Sequence, residues 1–118
     1  MSALAKKETA VSRLVGDLKE YGGLKGRDIA NIFGVSPPTV TRWSQGDASP
    51  PIDKQTAMAQ LRWVAQRLSE FYEPDDVRLW LQSPHPQLNQ ARPYDLIVEG
   101  RSPEVLEVIE RLDTGVYL

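Results

Sequence analysis

The sequence contains no cysteine and a single histidine, and both facts remove classes of site from consideration. Without cysteine, disulfide bonds and thiolate metal sites are excluded, which fits a reducing compartment. One histidine and scattered carboxylates do not form a ligand set for a metal ion. We therefore expect neither a disulfide framework nor a metal site.

Long apolar runs are also missing from the chain. No stretch approaches the length that a membrane-spanning helix needs, and the N-terminus lacks the apolar centre of a signal peptide. These absences predict a soluble, cytoplasmic protein that has no membrane partner.

The residue patterns of common catalytic sites are absent as well. A nucleotide-binding glycine loop needs spaced glycines between a strand and a helix, and none of the eight glycines is so placed. His85 lies between two prolines in a predicted connector, and local spacing places no serine or acid beside it. We therefore predict a protein that is not an enzyme and that binds no cofactor.

Charge is distributed unevenly along the 118 residues, whose formal net charge is −2. Residues 1–64 contain nine Lys and Arg against six Asp and Glu, a balance of +3. Residues 65–118 contain five against ten, a balance of −5. A nucleic acid partner should therefore meet the first half of the chain. The length fits one compact domain, or two small helical units that share a core.

Residues 26–45, GRDIANIFGVSPPTVTRWSQ, have the pattern of a helix-turn-helix. Gly34 lies where the turn needs a residue that tolerates positive φ, and Ala30 lies where the two helices approach closely. Ser36 is placed to cap the second helix, and Pro37 takes its first position, where a missing N–H costs little. The spacing of the apolar residues lets both helices face one small core: Ile29, Phe33, Val35, Val40 and Trp43.

In a DNA-binding protein, the second helix of this motif would read the major groove. Its outward side would present five groups that can hydrogen-bond base edges or phosphates: Ser36, Thr39, Thr41, Arg42 and Gln45. Helical hairpins with this pattern also serve as plain packing units, so a structural role stays open. Because Arg42 is the only cation on this helix, one module should bind DNA weakly, and useful affinity would need a dimer or a larger assembly.

Helical spacing continues through the rest of the chain, and no strand pattern is present. We predict further helices at residues 3–21, 53–72, 75–82, 93–100 and 103–114. Trp63 broadens the apolar stripe of the long helix, and Leu79 and Trp80 are expected to be buried in the next one. The predicted architecture is all-α. A helix-turn-helix unit at 1–51 is joined by a long connecting helix at 52–73 to a small C-terminal helical unit at 74–118.

The last predicted helix carries an acidic face and is followed by an apolar tail. Its acidic residues are expected to form a solvated surface: Glu104, Glu107, Glu110 and Asp113. The tail, Val116-Tyr117-Leu118, would be costly to leave in water unless it docks. Two interpretations stay open. The tail folds back onto its own core, or it enters a pocket on another protein with Tyr117 as an anchor.

The C-terminal half also carries a motif that resembles a known family. The motif runs from Trp80-Leu81 through Pro84, Pro86, Leu88, Pro93, Leu96, Gly100, Val105 and Ile109 to Gly115-Val116-Tyr117. It resembles the toxin-binding domain of the MbcA/ParS/Xre antitoxins, which also carry a helix-turn-helix before that domain. The resemblance covers nearly the whole chain. His85 departs from it, because the family usually has asparagine after the first proline.

This resemblance implies an antitoxin that binds a RES-domain toxin, an enzyme that breaks down NAD. The antitoxin would block the toxin's active site with its C-terminal segment, here Gly115, Val116, Tyr117 and Leu118, with Arg111 as a further contact. It also implies that the helix-turn-helix represses the toxin–antitoxin operon, so we expect operator DNA as a second partner and a homo-oligomer within the complex. The alternative is a stand-alone dimeric transcriptional regulator whose C-terminal unit binds only itself.

Overall fold

The computed structural model describes residues 8–113, which form seven α-helices and one short 3-10 turn. The α-helices are α1 (Ala10–Gly22), α2 (Gly26–Phe33), α3 (Pro37–Gln45), α4 (Ile52–Leu68), α5 (Pro74–Gln82), α6 (Pro93–Val98) and α7 (Ser102–Asp113), and the 3-10 turn is Pro86–Leu88. No strand forms within this part of the chain, where His85 and Ala91 share one isolated antiparallel bridge. The all-α prediction is confirmed.

The long helix α4 lies at the centre of the fold and packs against α1, α6 and α7. Its buried side chains recur at helical spacing and form the middle of the core: Ala57, Met58, Leu61, Val64, Ala65 and Leu68. They belong to one continuous apolar cluster that runs from Val11 in α1 to Ile109 in α7. The helix-turn-helix and the C-terminal helices therefore share a core.

Two helices are shorter than predicted within the described residues, and local hydrogen bonds explain both ends. α1 begins at Ala10, because Thr9 is extended and its hydroxyl accepts the Ser12 N–H at 3.0 Å, which caps the helix. The long helix ends at Leu68, four residues earlier than predicted. Beyond that point the chain tightens into three-residue turns, with the Phe71 N–H bonded to the Leu68 carbonyl at 2.9 Å. The predicted start at residue 3 lies outside the described residues.

Leu79, which is predicted to be buried, and Trp63, which broadens the apolar stripe of the long helix, both lie on the surface. Trp63 is 51% exposed and Leu79 is 63% exposed. α5 buries Val77 and Leu81, and each residue of a helix is rotated by about 100° from the last, so the intervening Leu79 points outward. Trp80 is half-buried rather than buried. The helical period is as predicted, but the buried face of the helix is narrower than predicted.

Gly23 allows α1 and α5 to approach closely. Its φ is +63°, and a Cβ added there would clash with the backbone carbonyl of Pro74. We expect Gly23→Ala to lower the free energy of unfolding by about 2 kcal/mol. The alanine would be strained in the left-handed backbone conformation, and its Cβ would also clash with Pro74. Gly16→Ala is the control, since its Cβ would meet nothing within 4 Å. It should raise that free energy by up to about 1 kcal/mol. Urea unfolding measures both, and equal stability of the two variants would contradict the argument.

Candidate DNA-binding and partner-binding surfaces

The turn between α2 and α3 has the geometry that its sequence predicts. Gly34 adopts a φ of +67° and its N–H bonds to the Ala30 carbonyl, which closes α2. Ser36 is extended and its hydroxyl accepts the Thr39 N–H at 3.4 Å, while Pro37 is the first residue of α3. The helix-turn-helix, its capping residue and its turn glycine are therefore confirmed as structure.

The five residues predicted to contact DNA lie on the solvent side of α3. Arg42 donates from Nη2 to Thr39 Oγ1 at 3.1 Å, and the hydroxyls of Thr39 and Ser36 lie 2.9 Å apart. These bonds orient the guanidinium along the helix, and the Thr41 hydroxyl donates back to the Pro37 carbonyl at 3.2 Å. Thr39 is half-buried and the other four are exposed: Ser36, Thr41, Arg42 and Gln45. Contact of these groups with DNA stays a prediction.

A buried ion pair that the sequence did not reveal joins the helix-turn-helix to α5. Asp28, in α2, accepts Arg78 Nε on Oδ2 at 2.9 Å and Arg78 Nη2 on Oδ1 at 3.0 Å. The same carboxylate accepts Gln82 Nε2 at 3.2 Å and the Lys25 backbone N–H at 2.8 Å. The hydrogen bonds from Arg78 lower the pKa of Asp28 from 3.8 to about 2. This network fixes the orientation of α2 against the C-terminal helices.

α7 is anchored on its inner side and acidic on its outer side. Val105, Val108 and Ile109 are buried, whereas the outward carboxylates of this helix are exposed: Glu104, Glu107 and Glu110. Arg111 is half-buried and donates from Nη2 to Glu107 at 3.2 Å. The predicted solvated face is confirmed for these three carboxylates. The side chain of Asp113 and the predicted plug at residues 115–118 lie outside the described residues.

A groove of about 460 Å³ runs along the outer side of α5, and we call it the α5 groove. Leu79 and Trp80 form an apolar wall, and His85 also lines the groove. His85 Nε2 lies 2.9 Å from the Trp80 carbonyl oxygen, and the two rings are 4.5 Å apart. These contacts hold His85 in a structural position. The residues that line the groove are Tyr72, Asp76, Leu79, Trp80, Ser83 and His85.

Within residues 8–113, no cluster of three or more acidic, histidine or cysteine side chains is arranged to hold a metal ion. None of the helices in that same range has both the length and the apolar character needed to cross a membrane.

Similarity to individual known proteins, rather than to a family model, identifies the family. No family model matches the chain. The chain is 30% identical over 96 residues to the mycobacterial cidal antitoxin MbcA of Mycobacterium bovis and of Mycobacterium tuberculosis, covering 81% of this chain and 85% of the relative. It is 30% identical to the probable mycobacterial cidal antitoxin Rv3188 of Mycobacterium tuberculosis over 118 residues, the full length of both.

The fold is similar to a solved structure over nearly its whole length. A chain in the crystal structure of the Mycobacterium tuberculosis MbcT–MbcA toxin–antitoxin complex matches with a TM-score of 0.79 and 29% identity. The match covers 94% of this chain and 100% of that one. Sequence and structure agree, and the chain belongs to the MbcA antitoxin family.

Proposed function

We propose that this chain neutralises a RES-domain, NAD-degrading toxin by occluding its active site with residues 115–118. The observation that carries the proposal is the similarity, over 94% of the chain, to a protein solved in a toxin–antitoxin complex. The motif from Trp80 to Tyr117, which resembles the toxin-binding domain of such antitoxins, supports the same assignment.

The contacts of α7 suit it to present a plug. Its buried face fixes it against α4 and α6, so the segment that follows starts from a rigid support. Val116, Tyr117 and Leu118 are the apolar groups of that segment, and Arg111 lies one helical turn before its first residue. Burying each apolar side chain in a toxin cleft contributes on the order of 1.5 to 3 kcal/mol before ordering costs. The antitoxin performs no chemistry in this scheme and acts by denying NAD access to the cleft.

Co-expression with the product of the neighbouring gene tests this proposal. We expect the two proteins to co-purify, and we expect NAD consumption by the partner to stop when the antitoxin is added in stoichiometric amount. A partner that consumes NAD equally fast with and without this chain would contradict the proposal. Absence of any toxin gene beside this one would instead favour the stand-alone dimeric regulator.

We further propose that the helix-turn-helix takes part in repressing the operon. The turn at Gly34 and the cap at Ser36 support this role, because they hold α3 with its polar side toward solvent. A helix that reads the major groove is presented in this way. Since Arg42 is the only cation of α3, binding should require a second copy of the motif within an oligomer of the complex.

Arg42→Ala should separate the two proposed roles. The guanidinium is exposed and held by Thr39, so its removal should weaken operator binding by about 1 to 3 kcal/mol per contact, roughly fivefold or more. Neutralisation of the toxin should be unchanged, because α3 packs against α1 and α2, whereas α7 packs against α4 and α6. Arg92→Ala, which removes an exposed arginine from the acidic half, is the matched control and should retain operator affinity. Gel-shift titration measures operator affinity, and an NAD assay measures neutralisation of the toxin. Loss of protection in Arg42→Ala would connect α3 to toxin contact instead.

A further inference from the structure

The α5 groove exposes apolar side chains that the folded chain has no evident reason to leave in water. Leu79 is 63% exposed, and Trp80 and Tyr72 are half-buried beside it. The outward side chains that border these residues are polar, namely Asp76, Ser83 and His85. An apolar wall bordered by polar side chains is typical of a surface that binds an apolar segment.

The C-terminal end of α7 lies beside the end of α4, from which the chain leads into α5. At the start of α7, the Ser102 hydroxyl donates to Gln60 Oε1 at 2.9 Å, in the middle of α4. Two turns later, a carboxylate oxygen of Glu110 lies 4.0 Å from Nη2 of Arg67, at the end of α4. α7 therefore runs in the same direction as α4, and both helices end at the same end of the molecule. From the end of α4 the chain leads within a few residues to Tyr72, which lines the groove.

The chain that follows α7 is comparable in length to α5. Five residues follow Asp113, and they span up to about 17 Å when extended. The nine residues of α5 are about 13 Å long. A second groove, of about 370 Å³ between α4 and α6, is bordered by Gly100. It lies at the other end of α7, a further 18 Å or so away. Because α7 runs toward the end of α4 and away from the second groove, the α5 groove is the one that the segment is directed toward.

We propose that Val116, Tyr117 and Leu118 dock in the α5 groove of the same chain when no toxin is bound. The aromatic ring of Tyr117 suits a wall formed by Trp80, and the two aliphatic side chains suit Leu79. A three-residue apolar segment binds weakly on its own, but a short tether supplies an effective concentration in the millimolar range, which is enough to populate the docked state.

Docking of this kind would regulate the plug, and this consequence rests on the function proposed above. A tail that occupies its own groove is protected from water and from unspecific partners, and it must leave the groove to enter the toxin. The toxin's apparent affinity is then reduced by the fraction of tails that are docked. The α5 groove would act as a holding site, and the toxin cleft would compete with it for the same three side chains.

The indole N–H signals of the three tryptophans in a ¹⁵N-labelled full-length chain test the docked state. We expect Tyr117→Asp to shift the Trp80 signal, because the tail leaves its wall, and to leave the buried Trp43 signal in place. In a Leu79→Asp background the same tail substitution should cause no further shift, since the groove no longer holds the tail. In an Ile52→Asp background, which alters a 75% exposed apolar residue at the start of α4, the Trp80 shift should be retained.

An unchanged Trp80 signal in Tyr117→Asp would overturn the proposal. A shift of full size in the Leu79→Asp background would also overturn it, because the tail would then act at another surface. A constant Trp43 signal shows that each variant is folded. No toxin is present in these samples, so the result is independent of whether the tail blocks a toxin's active site.

Discussion

Removal of residues 116–118 is expected to abolish protection against the toxin while the remaining antitoxin stays folded. The three deleted side chains would each contribute on the order of 1.5 to 3 kcal/mol in a toxin cleft before ordering costs. A net loss of at least about 3 kcal/mol would weaken the complex by roughly a hundredfold. The buried apolar core of residues 8–113, which runs from Val11 to Ile109, stays complete in the shortened chain, so we expect that chain to fold. Growth of toxin-expressing cells and titration calorimetry measure the loss.

The control for this deletion is a change to an exposed apolar residue elsewhere. Ile52→Ser removes a side chain that is 75% exposed at the start of α4, and it should protect cells as well as the unaltered chain. Thermal melting of the shortened chain should give nearly the same midpoint as that of the full chain. A shortened antitoxin that still protects fully would show that the contact with the toxin lies on another surface, of which the outer face of α7 is the first candidate.

The helix-turn-helix could be predicted because its determinants are local. The capping hydroxyl of Ser36, the positive φ of Gly34 and the packing positions of both helices all fall within twenty consecutive residues. Each of these choices can be recognised from the residue types alone. The same holds for the start of α7, where Ser102 and Pro103 precede the buried positions of the helix. Local rules also predicted the solvated carboxylates of α7.

Interactions between distant parts of the chain could not be predicted in this way. Asp28 and Arg78 are separated by 50 residues, and no local pattern in either segment predicts that the two will pair. Leu79 was expected to be buried because periodicity finds the apolar positions of a helix but not how many neighbours will cover them. Its exposure, with that of Trp63, was therefore available only from the structure. The roles of Arg111 and of residues 115–118 stay predictions, and the deletion of residues 116–118 tests the apolar part of that set.

Arg78→Ala is expected to lower the free energy of unfolding by about 3 kcal/mol. It leaves the Asp28 carboxylate, whose side chain is only 8% exposed, without its charged partner. Removing one member of a buried ion pair costs about 3 to 5 kcal/mol. The lower end of this energy range applies because the Arg78 side chain is 32% exposed and Gln82 still donates to Asp28. Urea unfolding measures the loss. Arg92→Ala breaks a pair whose side chains are 48% and 43% exposed, and its cost in stability should be small beside that of Arg78→Ala.

The pH dependence of the stability lost in Arg78→Ala tests whether the Asp28 carboxylate is its cause. The hydrogen bonds from Arg78 hold the pKa of Asp28 at about 2, below its ordinary value of 3.8, so the folded state favours the ionised carboxylate more than the unfolded state does. The stabilisation is therefore complete above about pH 5 and is lost as the pH falls toward 2. The stability gap between the unaltered chain and Arg78→Ala should be constant from pH 7 to about pH 5 and should then narrow on acidification. The gap for Gly23→Ala, which removes no charge, should not narrow. A gap for Arg78→Ala that stayed constant down to pH 2 would mean that the arginine stabilises the fold by packing of its aliphatic stem rather than through the ionised carboxylate.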